Sequence, residues 1–198
     1  MKSVLKRRIA KYSRWLHIYT SMASFVIVFF FAATGLTLNH VNWFASAERA
    51  TRVTGTLDPS WTNTGSSEVH KLEIVEALRR RHGIGGAVRE VRVDDAQTAV
   101  SFKGPGYSAD AFIDRKTGTY DLTETRMGAF AILNDLHKGR DTGAVWSTVI
   151  DVSAGLLTFI SITGLILIFF IHKHRVAGLV LVGIGGAVAY LMYAAFVP

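Results

Sequence analysis

Three long apolar blocks and one mixed block make up the chain. From Trp15 to Leu38 the sequence reads WLHIYTSMASFVIVFFFAATGLTL, 24 residues whose only ionisable groups are those of His17 and the weakly acidic Tyr19. A helix crosses the hydrocarbon core of a bilayer in about 20 residues, so this block predicts a membrane span. Two further blocks, from Val152 to Ile171 and from Val176 to Pro198, carry no formal charge and predict two more. The mixed block lies between the first and second spans. There, EVHKLEIVEALRRRH (68–82) has Val69, Leu72, Ile74, Val75 and Leu78 near helical spacing, and Gly83, Gly85 and Gly86 end it. AVREVRV and TAVSFK then alternate as strands do, and SADAFIDRKTGTYDLTE reads as two strands around the turn Arg115-Lys116-Thr117-Gly118. A helix followed by an antiparallel sheet of three or four strands is expected. RMGAFAILNDLH (126–137) returns to helical spacing and predicts an amphipathic helix leading His137 to membrane level.

A cleaved signal peptide is the rival for the first block, because Lys6, Arg7 and Arg8 precede it and ASA (45–47) resembles a cleavage site. An apolar signal region is about 7 to 15 residues long, and this one is longer, so a retained span is expected. Charge then gives the orientation. Six basic residues precede the first span and two, Lys173 and Arg175, lie between the second and third; the region 41–143 holds fourteen bases and fourteen acids. All of the net charge of +7 therefore comes from the short ends and Asp151, the asymmetry expected when short basic segments stay in the cytoplasm. The same distribution leaves no basic patch for a nucleic acid. The expected organisation is a basic cytoplasmic tail (1–14), transmembrane helices at 15–40, 144–172 and 176–198, a cytoplasmic turn (173–175), and a periplasmic α+β domain with its amphipathic helix (41–143). Cysteine is absent, so no disulfide staples that domain.

Histidines carry the candidate chemistry. His70 and His82 fall in the charged helix of the outer domain and read as solvated side chains; the other five, His17, His40, His137, His172 and His174, fall at span ends. His17, His172 and His174 sort to the inner face, His40 and His137 to the outer. A single histidine at an interface is ordinary, but imidazoles from different helices at one face are the set that clamps a haem iron from both sides. His17 with His172 is the expected inner pair, with His174 as the alternative to His172, and His40 with His137 the outer pair. Up one face of an ideal helix, His17 is followed by Ser21, Ser24, Val28 and Gly35, small where a flat macrocycle needs room and equally suited to close helix packing. His40 lies about 140° around that helix from His17, so the two face different partners, which a homodimer would supply. Asp151, one or two turns below the outer surface, is expected to face protein, water or a polar ligand. No glycine-rich strand-turn-helix for a dinucleotide occurs, so electrons would come from a cytoplasmic partner or from quinol.

RWLHIYTSMASFVIVFFFAATGLTLNH and LNDLHKGRDTGAVWSTVIDVSAGLLTFISITGLILIFF resemble the PepSY-associated transmembrane-helix proteins. The marks are Trp15-Leu16-His17, Thr34-Gly35, Leu136-His137 and Thr163-Gly164, and FIDRKTGTYDLTE is similar to the hairpin of a PepSY module. The resemblance implies a bacterial inner-membrane protein with a periplasmic PepSY-like domain. Larger relatives are haem b-binding reductases that release iron from ferric siderophores, and this chain departs from them in having three expected spans. The expected function is transfer of electrons through haem b to ferric iron, free or chelated. A haem-free anchored module and a metal-uptake accessory are the other classes.

Overall fold

The computed structural model describes residues 2–44, 48–62, 69–171 and 173–198. It divides into two compact units, residues 1–29 with 151–198 and residues 30–150. The ASA tripeptide at 45–47 and His172 lie outside the described residues.

In the first unit, helix α1 runs from Lys2 to Ala23, so the basic tail is helical and continuous with the apolar block. Helix α2 follows from Phe25 to Asn39, and the pair is bent by 58° at the intervening residue. Ser24 stands at that bend and is fully buried. Its hydroxyl donates to the Thr20 carbonyl at 2.5 Å, the same carbonyl that takes the Ser24 amide at 3.0 Å. A serine that bonds back one turn competes for a carbonyl of the helix and bends it. The ideal-helix phase from His17 to Gly35 therefore does not carry across Ser24. Helix α6, Gly143–Ile168, and helix α7, Arg175–Phe196, are each long and apolar enough to cross a membrane; α1 and α2 qualify only together. Two to three such helices are present among the described residues. Where α7 begins, Gly178 meets the Ile168 side chain so closely that a Cβ would clash with it.

The second unit holds a five-stranded antiparallel sheet in the order β1-β5-β4-β3-β2. Its strands are β1 (Arg49–Thr56), β2 (Ala87–Val93), β3 (Gln97–Gly104), β4 (Tyr107–Asp114) and β5 (Thr119–Arg126). Strands β2 to β5 form a meander, and β1 closes the edge by pairing with β5 from Arg49↔Arg126 to Thr56↔Thr119. The expectation of three or four strands is therefore one or two short. Strand β1, RATRVTGT, is exposed along almost its whole length; an edge strand with both faces wet has no apolar alternation to betray it. Gly55 sits where any Cβ would run into the Tyr120 ring of β5. A short helix, α3 (Pro59–Thr62), precedes α4 (Lys71–His82).

One face of the sheet and one side of α4 make the core. Ile74, Val75, Ala77 and Leu78 meet Val100, Phe102, Ala109, Ala111, Ile113 and Leu122, with Tyr120 and Leu57 at the margin. Leu72, expected on the apolar stripe, is 70% exposed. Arg115 is buried and its guanidinium donates to the carbonyls of Thr62 and Asp94, tying the β4–β5 turn to the end of α3 and to the β2–β3 turn. In that turn Gly118 has φ +70° and lies 2.6 Å, as a Cβ would, from the Leu57 carbonyl oxygen. Asp114 Oδ1 accepts from the Lys116 and Thr117 amides at 2.9 Å each.

Two outcomes follow from this core and turn. Leu78→Ala removes a fully buried side chain and should cost about 2–5 kcal/mol, read as a lower unfolding temperature of the domain by near-ultraviolet circular dichroism of the full chain in detergent. The Asp114 carboxyl is held below its ordinary range, first by the Thr117 amide and hydroxyl. Its stabilising contribution is thus complete above about pH 3.9 and is lost as pH falls through the lower folded value. Protection of the Lys116 and Thr117 amides should drop over that interval and lose this pH dependence in Asp114→Asn.

Candidate functional site

Helices α1, α2, α6 and α7 are mostly exposed along apolar side chains, as a lipid-facing surface requires. The residues they bury are polar. The buried residue of α2 is Thr34, and those of α6 are Ser153 and Thr163. Each of the two threonines holds a histidine.

In the first unit, His17 of α1 places Nδ1 3.0 Å from the Thr163 hydroxyl oxygen of α6. Its ring lies over the next residue, Gly164, where a Cβ would stand 3.1 Å from the imidazole Cε1. That contact brings the ring against the α6 backbone. In the second unit, helix α5 (Ala129–Lys138) docks on α2. His137 places Nδ1 2.7 Å from the Thr34 hydroxyl oxygen, and its Cε1 lies 3.5 Å from the Cβ position of Gly35. One turn away on the same two helices, the Thr37 hydroxyl donates to the Asn134 amide oxygen at 2.8 Å. Asn134 and His137 are three apart on α5, as Thr34 and Thr37 are on α2, so the helices meet in two polar rungs. Phe31 packs edge-on to the His137 ring. Trp146 donates from its indole to the Leu136 carbonyl at 2.8 Å, which fastens the end of α5 to the start of α6.

The two sites are the same arrangement built twice: a histidine preceded by leucine, its Nδ1 on a threonine, its ring over the glycine that follows. Leu16-His17 docks on Thr163-Gly164, and Leu136-His137 docks on Thr34-Gly35. The family model described as PepSY_TM-like matches residues 11–198, a stretch that contains both arrangements and the sheet. The chain belongs to the PepSY_TM-like family. No curated protein and no solved structure matches it.

The other expected ligands of this PepSY_TM-like chain stand apart from these two. His40 follows α2 and stacks on Trp43 of the 3-10 turn Val41–Phe44, with ring centroids 3.8 Å apart and planes within 9°. Among the described residues the ring contact of His40 is with Trp43, and no hydrogen bond joins it to His137. His172, expected opposite His17, lies outside the described residues. His174 is exposed at the cap preceding α7. Asp151 is exposed on α6. No group of three or more His, Asp or Glu side chains that could hold a metal ion occurs among the described residues. The two histidines of the sheet domain divide: His70 is half exposed and 3.7 Å from Glu73, whereas His82 closes α4 with its Nε2 2.8 Å from the Tyr120 hydroxyl. His82 is therefore a bond between helix and sheet, not the free side chain its charged surroundings suggested.

Thr34, Thr163 and Asn134 are the site residues that histidine placement alone passes over. Spacing points to Asn134, on the face of α5 that carries His137, while the threonines had marked the family without a chemical role. The closeness of the two rings to their glycines differs, and substitution should expose it. Gly164→Ala crowds His17 at 3.1 Å and should displace its ring, whereas Gly35→Ala meets His137 at an ordinary 3.5 Å and should be tolerated. Imidazole resonances of His17 and His137 in the two variants check this.

Proposed function

We propose that this chain is a haem b-binding electron carrier of the bacterial inner membrane, which passes electrons from the cytoplasmic side to ferric iron, free or held by a siderophore, at the periplasmic side. His17 supplies one axial ligand of an inner site and His137 one of an outer site. His172 and His40 are their respective opposites, with His174 the alternative to His172; the equivalent histidine of a second copy of the chain is the other source of an opposite ligand. The observation that carries this reading is the pair of contacts from Nδ1 of His17 and His137 to threonine hydroxyls. A metal-binding histidine bonds through one ring nitrogen and is oriented by a hydrogen bond at the other, and these two have that second bond already made. The residues present fit one half of a haem site each.

Haem iron, when bound, supplies single-electron chemistry between its ferric and ferrous states. The chain's own part is to hold the imidazoles at set positions, exclude water with apolar helices, and place the sheet domain on the periplasmic side, where ferric iron arrives as substrate. The electron donor is a cytoplasmic protein or quinol. The concentration of basic residues in the short segments before α1 and between α6 and α7 supports the orientation with both of these segments in the cytoplasm.

One observation favours a second reading, an anchored module without haem. The same hydrogen bonds, together with the stack of His40 on Trp43, satisfy these histidines as helix-to-helix contacts, and polar contacts of this kind hold membrane helices together. The absorption spectrum separates the two. The full chain purified in detergent should show a Soret band and dithionite-sensitive α and β bands, and His17→Ala and His137→Ala should each remove part of the haem. A colourless protein leaves the anchored module; a haem-containing protein whose two variants keep all of it overturns the assignment of His17 and His137 as ligands.

A further inference from the structure

We propose that Thr34 and Thr163 are positioning residues that hold His137 and His17 in the tautomer with the proton on Nδ1, so that each Nε2 presents a lone pair to iron. The last step rests on the haem reading above; the tautomer itself does not.

The inference comes from the proton each hydroxyl has to give. Thr34 Oγ1 lies 2.6 Å from the Phe30 carbonyl oxygen. A carbonyl brings no proton, and two oxygens that close require one between them, so the hydroxyl proton is spent on Phe30. Toward His137, 2.7 Å away, the same oxygen shows only lone pairs. The proton in that contact belongs to the imidazole. Thr163 repeats the geometry: its Oγ1 lies 2.9 Å from the Ile160 carbonyl oxygen and 3.0 Å from His17 Nδ1. A neutral imidazole with its proton on Nδ1 carries the free lone pair at Nε2.

The following glycine completes the device. Gly164 lacks the side chain that would press on the His17 ring, which lies 3.1 Å from its Cβ position, whereas His137 lies at an ordinary 3.5 Å from that of Gly35. Each threonine thus decides which nitrogen keeps the proton, and at His17 the glycine also decides how near the ring may come. The carbonyl that binds the hydroxyl is part of the helix backbone, so the acceptor is oriented before any ligand arrives. An oxygen accepting from Nδ1–H also fixes the orientation of the ring, as the hydrogen-bond partners of a ligating histidine do.

The test uses the full chain in detergent with histidine rings labelled with nitrogen-15, first freed of any haem. Ring nitrogen shifts at pH above 8 should place the proton on Nδ1 in both His17 and His137. Thr34→Val should move His137 alone toward the Nε2–H form, Thr163→Val should move His17 alone, and the serine variants should restore the wild-type pattern. A wild-type proton on Nε2, or valine variants with unchanged shifts, overturns the tautomer inference. In the haem-loaded protein each valine variant should weaken binding at its own site about tenfold and raise that site's reduction potential, with serine again restoring both. Unchanged binding and potential, with the tautomer shifted, overturns the link to iron. A colourless wild type removes the haem reading yet leaves the tautomer result to stand or fall by the nitrogen shifts.

Discussion

A threonine hydroxyl has one proton, and at Thr34 and Thr163 it goes to a helix carbonyl one turn back. Everything particular about the two histidine sites depends on that expenditure. With the proton committed to Phe30 or Ile160, the hydroxyl oxygen is an acceptor of fixed direction, and the only strong donor near it is the imidazole Nδ1. A serine at Ser24 shows the same habit with a different result. Its hydroxyl also bonds back, to Thr20, and there the helix bends.

Burial in the apolar helices follows polarity rather than hydrophobicity. Lipid is as apolar as leucine, so a leucine gains little by turning inward, whereas a hydroxyl or imidazole must find a partner within the protein. That is why Thr34 and Thr163 are buried while Phe25, Phe29 and Phe159 of the same helices are exposed. The sheet domain obeys the opposite rule. Its core is aliphatic and aromatic, from Ile74 to Phe102 and Leu122, and its polar exceptions are tied down, as Arg115 is to the carbonyls of Thr62 and Asp94. Two kinds of solvent therefore select two kinds of core within one chain.

Much of the architecture was legible in residue order. Long uncharged runs announced the membrane helices, and strict alternation announced β2 to β5, because each of those signals records one face or one length that water would penalise. Strand β1 was silent, since at the sheet edge both of its faces are wet and Arg52 reaches Asp121 across β5 as an exposed ion pair. The break at Ser24 was silent too. A small polar residue in an apolar run is as compatible with a straight helix as with a bent one, and only the geometry of its hydroxyl decides.

At the site, sequence by itself singled out the histidines at the ends of apolar runs and the two Thr-Gly pairs. It could not say that Leu16-His17 meets Thr163-Gly164 while Leu136-His137 meets Thr34-Gly35. The partners are 146 and 103 residues apart in the chain, and no periodicity within one helix encodes which threonine lies across from which ring. Tertiary packing decided that pairing, because a hydrogen bond of 2.7 to 3.0 Å is made by the position of two backbones, which residue order does not specify.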